Sequence, residues 1–495
     1  MRSVLPVSYT RKGWCEVIGW LILAVVVLFL AVLLIRTALF RPKTKPASSI
    51  PETGIDYGRA ADHLARMVRI KTVSSRDASS VDEEEFERFR TLLTELYPHV
   101  TQTCLRERIG PSGLLYHWKG KKADSPLILM AHYDVVPPGD LSAWKKDPFC
   151  GETDADGVLW GRGTLDTKGT LCGILEAVET LLEKGFVPEH DVYLSFSGDE
   201  EIMGQSAPAI VEELRRRGIR PALVLDEGGA VVEGAFPGVK AKTAVIGTCE
   251  KGQMDVEISM KSKGGHTSAP PPKTPVASLC KAVTTLEKHP FPASLTPAAA
   301  EMFDTLGRHS TFAMRLIFSN LWCFLPLLKQ ICTKSGGEMN ALMRTTCCFT
   351  IMEGSRAANA IPTEARMTAN LRLSPRDTME SAEAYLKKVI DDPDITVRRI
   401  QGTDPSPISP TGTPQWEQVC AAVRETWPDA IVAPYMMVAC SDSRHFCQIC
   451  DHVFRFSAME LSKEERGCIH GLNERIPVEK IGRAAEFFTR VLLKS

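Results

Sequence analysis

Hydrophobic residues enter the chain as one uninterrupted block before any periodic pattern is established. Val17 to Ile35, VIGWLILAVVVLFLAVLLI, runs 19 residues without a charge. At about 1.5 Å per helical residue such a block crosses a hydrocarbon core of roughly 30 Å, so it predicts a transmembrane anchor at 17–35. A signal peptide is the alternative, but its apolar region is only about 7 to 15 residues, and no small-x-small cleavage site follows the block before Arg36. A basic segment, 1–16, precedes the anchor, and a stretch poor in large apolar groups, 36–55, follows it as a stalk. Arg2, Arg11 and Lys12 nearly balance Arg36, Arg41, Lys43 and Lys45, so charge does not orient the span.

From Asp56 the pattern becomes periodic. Leu127 to Ala131, Val192 to Phe196 and Ala222 to Leu225 are short apolar runs of the buried-strand type. Thr170 to Lys184, Ala209 to Arg217, Ser381 to Asp391, Gln415 to Thr426 and Val478 to Leu493 read as helices. Strands alternating with helices predict an α/β body, a sheet wrapped by helices. Phe312 to Leu328 is also apolar, but Arg315 and Pro326 inside it argue against a second span. It reads as lid core or dimer packing, or as an apolar wall for an acyl chain, worth about 0.8 kcal/mol per buried methylene.

Composition narrows the class. With 44% apolar and 24% charged positions, 495 residues fit a globular protein of two or three domains. Lys plus Arg total 59 against 60 acids, which excludes a general attraction to nucleic acid. Fifteen cysteines are too dilute for a disulfide-built scaffold, and Cys447 and Cys450 form a C-x-x-C with no second pair at structural-zinc spacing. No asparagine begins an N-x-Ser/Thr acceptor.

The residues that carry chemistry gather at strand ends. In LILMAHYDVVP, His132 lies just past an apolar strand with Asp134 two residues on. The imidazole can hold a metal while the carboxylate holds its other ring nitrogen; a hydrogen-bonded turn histidine is the plainer reading. GRGTLDTKG embeds Asp166 among glycines ahead of a helix, as a bridging acid or an ordinary N-cap. SFSGDEEIMG puts Asp199, Glu200 and Glu201 at a strand tip, acids that repel one another unless solvated or facing a cation. LVLDEGG ends a strand in Asp226 and Glu227, and GCIHG carries His470. Each alone reads as loop polarity. Together they make a nitrogen and oxygen donor set suited to zinc or a similar divalent ion.

MAHYDVVP, GRGTLDTKG, SGDEE, LDEGG and IHG, in this order, resemble the co-catalytic zinc hydrolases of the aminoacylase and carboxypeptidase S family, over roughly Asp56 to Leu493. LDEGG, GGHTSAPP, SDSRHF and IHGLNE look closest to its N-fatty-acyl-amino-acid synthase/hydrolase branch. The resemblance implies a doubly wound mixed-sheet catalytic domain at 56–249 and 374–495, interrupted by a smaller α+β lid domain at 250–373 that dimerises. It implies two zinc ions, replaceable by manganese or cobalt. His132, Asp166 and Asp226 would hold one, and Asp166, Glu201 and His470 the other, with Asp166 bridging. Asp226 is preferred to Glu227 on the resemblance alone, because spacing cannot separate neighbours. Glu200 would be the base and Asp134 would orient His132.

Further positions follow from the same resemblance. His266 in SKGGHTSAPPP matches a lid histidine that stabilises a developing oxyanion across a dimer. Asn359 and Arg372 match positions that help hold substrate, and Arg444 suits a bidentate grip on a substrate carboxylate. A loop histidine and a surface arginine are the plain readings. Thr167 after the bridging acid and Cys440 before SDSR depart from the family pattern without removing a ligand.

The function these imply is a membrane-anchored di-zinc amidohydrolase that cleaves, and in reverse forms, the amide bond of N-acyl, above all N-fatty-acyl, amino acids. A carboxypeptidase or dipeptidase acting on peptides with a free C-terminal carboxylate is the nearest alternative. A catalytically inactive tethered binding protein would lack a ligand or the base, and a serine or cysteine acyltransferase would need a G-x-S-x-G elbow. The partners expected are a small N-acyl amino acid or short peptide and the membrane through the helix. The resemblance puts the body in the secretory lumen or outside the cell.

Overall fold

The computed structural model describes residues 11–42, 50, 52–234, 236 and 238–495. Arg2, Lys43, Lys45, most of the basic segment and much of the stalk lie outside the described residues, as do the side chains of Arg11 and Lys12. Helix α1, Arg11–Leu39, contains the whole apolar block. Its most apolar window has a mean hydropathy of 3.2 and is only 6% buried, so it meets the length and composition of a span while contributing little to the core.

The body is built on a ten-stranded mixed sheet. Its principal strands are β1 (Leu105–Ile109), β2 (Gly113–Trp118), β3 (Lys122–His132), β4 (His190–Ser197), β5 (Leu223–Asp226), β6 (Thr243–Glu250), β7 (Ile431–Met437) and β8 (Val453–Arg455). They run in the order β1-β2-β4-β3-β5-β8-β6, with β7 also pairing β6. β4, β3, β5 and β8 are parallel. On β3, Leu127, Leu129 and Ala131 join the cluster that holds helix α2 (Lys168–Glu183) and the C-terminal helix Val478–Leu492. Ile128 and Met130 join the cluster that holds α3 (Ser206–Arg216). Successive side chains of a strand point to opposite faces, and both faces here are covered, which is why the strand reads as a continuous apolar run.

A second sheet of four antiparallel strands carries Gly252–Lys261 at its centre, between Glu364–Leu373 and Ile395–Thr403, with Thr346–Glu353 outermost. Its own core includes Val256, Ile258, Leu279, Leu371 and Leu386. The inserted unit was expected to end at Leu373; the sheet continues to Thr403, because Ile395–Thr403 completes the pairing of the central strand. The interval also contains helices that belong elsewhere. α4 (Pro297–His309), α5 (Phe312–Ser319) and α6 (Leu321–Ser335) pack in a separate cluster where Phe303, Phe318 and Leu328 meet Ala433 and Met436 of β7. The expectation of lid core for Phe312 to Leu328 is corrected accordingly.

Beneath the sheet's carboxyl ends lies a buried ion pair. Arg455 Nε of β8 donates to Glu250 Oε1 of β6 at 2.6 Å, with both side chains sealed from solvent. Glu250 also accepts from Ser441 N, Ser441 Oγ and Ser443 Oγ, so both carboxylate oxygens have a donor. Arg455→Ala would strand a charged carboxylate in the interior. It should lower unfolding stability by about 3–5 kcal/mol in urea denaturation, whereas breaking the exposed Glu383–Lys387 pair should leave the midpoint unchanged.

Candidate metal centre and active site

Four connections bring the acidic and imidazole groups together. β3 delivers His132 at its last residue, and β4 leads into the turn of Asp199, Glu200 and Glu201. The loop before α2 carries Asp166, and the turn before the C-terminal helix carries His470. Asp166 is central: its Oδ1 lies 3.0 Å from His132 Nε2 and its Oδ2 3.0 Å from His470 Nε2. His470 Nε2 is also 3.0 Å from Glu201 Oε2. Ligand atoms of His132, Asp166 and Glu201 fall within 4.8 Å of one another.

Backbone N–H groups hold this arrangement. His132 Nδ1 sits 3.0 Å from the Asp134 carbonyl, which can only accept, so Nε2, 3.0 Å from Asp166 Oδ1, is the nitrogen that would offer a lone pair to a metal ion. The Asp134 carboxylate accepts from Glu200 N and Glu201 N, so one buried residue orients both the imidazole and the acidic turn. Asp199 turns away to cap the following segment through Gln205 N and Ser206 N.

Two residues that sequence reasoning passed over hold the Asp166 loop. Glu474, wholly buried, accepts through Oε1 from Gly163 N, Leu165 N and Asp166 N. Its Oε2 accepts from Arg162 Nη1 at 2.7 Å, and Arg162 Nη2 donates to Gly471 O. The Asp166 loop is thereby tied to the His470 turn, where His470 takes a left-handed φ of 57°. The only sequence signals were an Arg inside GRG and a Glu four residues past the histidine.

Asp226 and Glu227, the two candidates at the end of β5, have different surroundings. The Asp226 Oδ1 accepts from Glu227 N at 2.8 Å and its Oδ2 from Ser443 N at 3.0 Å, so it helps hold the 441–443 loop. Glu227 makes no side-chain hydrogen bond among the described residues. Burial raises its pKa well above the usual range, and of the neighbouring charges Asp166 adds most to that rise. Glu227 is the neighbour that spacing could not exclude, and Asp166, His132 and Glu201 are among the charges that act on it. The pair of glycines that follows is required, since a Cβ on Gly229 would lie 1.9 Å from the Val245 carbonyl oxygen.

The electrostatics ask for a cation. Burial pushes Glu200, Glu201 and Glu227 upward, with the neighbouring acids adding to the rise. Burial would lower the His132 pKa, but the Asp134 and Asp166 carboxylates outweigh it and raise it. Hydrogen bonds to Asp166 and Glu201 lift His470 to about 10. So many acids around two imidazoles cannot all stay ionised unless positive charge joins them. The spacing of about 3 Å between donor atoms is close to the roughly 3.3 Å edge of a tetrahedral zinc site. The residues present therefore fit a divalent ion.

The remaining expected residues lie around the cluster rather than in it. His266 is exposed and bonds Ser268. It pairs across a two-residue ladder with Ala360, beside Asn359, whose carbonyl accepts from Thr267 N. Arg372 Nη1 reaches Cys440 Sγ at 3.6 Å, and Arg444 donates to Ser441 O from the other side of that cysteine. The buried Arg444 Nε has no acceptor. A cavity of about 650 Å³ lies between α4 and the helix Pro414–Thr426 and is lined by none of the cluster residues. A smaller one of about 280 Å³ is lined by Gly228 and Ile469, next in sequence to Glu227 and His470, and by Met302, Leu342 and Tyr435.

A mixed sheet whose strand ends gather His, Asp and Glu around one shared acid defines a metallohydrolase site. The profile of peptidase family M20/M25/M40 matches residues 128–494, and the chain belongs to that family. It is a hydrolase acting on amide or peptide bonds. The chain is 33% identical over 480 residues to N-fatty-acyl-amino acid synthase/hydrolase PM20D1 of Xenopus tropicalis, covering 95% of this chain and 93% of that one. It is also 33% identical over 439 residues to probable carboxypeptidase S-like 2 of Dictyostelium discoideum, covering 87% and 84%. In fold it is similar to the M20 family metallo-carboxypeptidase Sso-CP2 from Sulfolobus solfataricus, with a TM-score of 0.64 at 18% identity over 88% of this chain and 98% of that one.

Glu474→Ala would leave three backbone N–H groups and the Arg162 fork without an acceptor. Affinity for zinc should fall about 10–100-fold in a chelator competition, with the circular dichroism spectrum retained.

Proposed function

We propose that the protein is a two-zinc amidohydrolase that cleaves, and in reverse forms, the amide of N-fatty-acyl amino acids, held at a membrane by α1 with its body in the lumen or outside the cell. The observation that carries the acyl reading is a mostly apolar cavity lined by Gly228 and Ile469, the residues next in sequence to Glu227 and His470. In this reading His132, Asp166 and Glu227 take one ion and Asp166, Glu201 and His470 the other, Glu227 replacing the expected Asp226. Bound divalent ions would polarise the scissile carbonyl and make water acidic near neutral pH.

The chain's own groups supply the rest. Glu200, fixed at its backbone by Asp134, takes a proton from water and returns it to the leaving amine. Its raised pKa, set first by burial and opposed by His132, suits a group that must do both. Arg444, with an unsatisfied buried Nε, and Arg372 flank Cys440 as a double cationic receptor for the amino-acid carboxylate. His266 and Asn359, presented together by the smaller unit, are read as lid groups that meet substrate, and the four-stranded sheet as the surface for a second copy. The carboxypeptidase or dipeptidase reading shares the carboxylate receptor and is favoured by the similarity to carboxypeptidase S-like 2.

Hydrolysis of N-oleoyl-phenylalanine should exceed that of a blocked dipeptide by at least about tenfold in kcat/KM, in line with burial of several methylenes at ~0.8 kcal/mol each; the reverse order would favour the peptidase reading. Glu200→Gln should lower kcat by about 10²–10⁴ with bound metal unchanged in elemental analysis. Glu227→Ala should lose one metal equivalent, which Asp226→Asn should retain.

A further inference from the structure

We propose that the α5–α6 hairpin is itself embedded in lipid beside α1, with bilayer hydrocarbon as its partner; this rests on reading α1 as a membrane span. The two helices are bent by 114° at Ser319–Asn320. That break is docked on α1. Arg36 Nε and Nη2 donate to Ser319 O at 3.1 and 2.9 Å, and Arg36 Nε also donates to Asn320 Oδ1. Asn320 Nδ2 donates to Leu33 O, and Thr37 Oγ1 lies 3.0 Å from Ser319 Oγ. Thr37 and Asn320 are wholly buried. Broken backbone is tolerated at membrane depth only where protein satisfies it, and side chains of α1 do so here.

Depth follows from register. The Phe29 ring of α1 lies 5.8 Å from the Trp322 ring of α6, edge to face. Phe29 is six residues before Ile35, the end of the apolar block, so it lies about 9 Å inside that edge of a roughly 30 Å core. Whatever surrounds Phe29 surrounds Trp322. The first half of α6, Leu321 to Leu328, has no charged residue. Trp322 is 58% exposed and Leu327 44%, which in water would be an unexplained apolar surface. Charge first appears at Lys329, whose stem can carry its ammonium toward headgroups. Arg315 and Pro326 count against a straight second span but not against a short hairpin that enters and leaves on one side.

The test is photocrosslinking of the full chain in phosphatidylcholine nanodiscs, with p-benzoylphenylalanine placed in turn at Trp322, at Leu327, at Val25 of α1 and at Ile400 on the exposed four-stranded sheet. Metal content checks that each variant is folded. Lipid adducts at 322 and 327 matching those at 25, with none at 400, are expected. Adducts at 25 but not at 322 and 327 would overturn the proposal while leaving the span intact. Crosslinks from 322 or 327 to a second copy would overturn it in favour of an interface between chains. No adduct at 25 would refute the span reading and the hairpin with it.

Discussion

Buried negative charge in the loops and strand ends around the centre is the constraint that the rest of the body serves. Asp134, Asp226, Glu250 and Glu474 each sit in the interior with backbone N–H groups aimed at them. None of these four is free to turn, and each fixes a loop on which a group facing the centre depends. Asp134 sets the Glu200–Glu201 turn, Glu474 sets Asp166, Asp226 sets Ser443, and Glu250 holds the same loop from below through Ser441 and Ser443. The donors that stabilise a carboxylate without a proton also hold its geometry, so electrostatics and positioning are met by one set of bonds.

The framework was legible because strands buried on both faces and amphipathic helices leave strong local patterns. Leu127 to Ala131 lies inside β3, Val192 to Phe196 inside β4, and the helix expected at 478–493 is found at Val478–Leu492. His132, Asp166, Glu201 and His470 were legible as well, since each stands at the end of such an element. What failed to show was orientation. Asp226 and Glu227 are adjacent, and nothing local says that Asp226 is the one to accept from Ser443 N. Arg162 and Glu474 are 312 positions apart, a pairing with no local trace.

The inserted unit was harder to delimit for a physical reason. Its sheet is assembled from segments on both sides of α4–α6, and those helices find their partners on β7 rather than on the sheet they interrupt. A boundary drawn on chain order therefore places one strand, Ile395–Thr403, outside the unit it completes. Apolar content predicted that Phe312 to Leu328 would be covered. Phe318 and Leu328 are, and Phe312, Trp322 and Leu327 stay open.

The cysteines carry a consequence of another kind. No disulfide joins the fourteen cysteines whose side chains are described, and burial lifts the thiols of Cys104, Cys249 and Cys450 to about 12, so these three remain protonated and unreactive. No covalent crosslink among them closes a loop of the body, whose cohesion comes from packing and the buried ion pairs. A reductant such as glutathione would find no bond there to cleave, and the same architecture can persist under oxidising or reducing surroundings without an isomerase to sort its sulfurs.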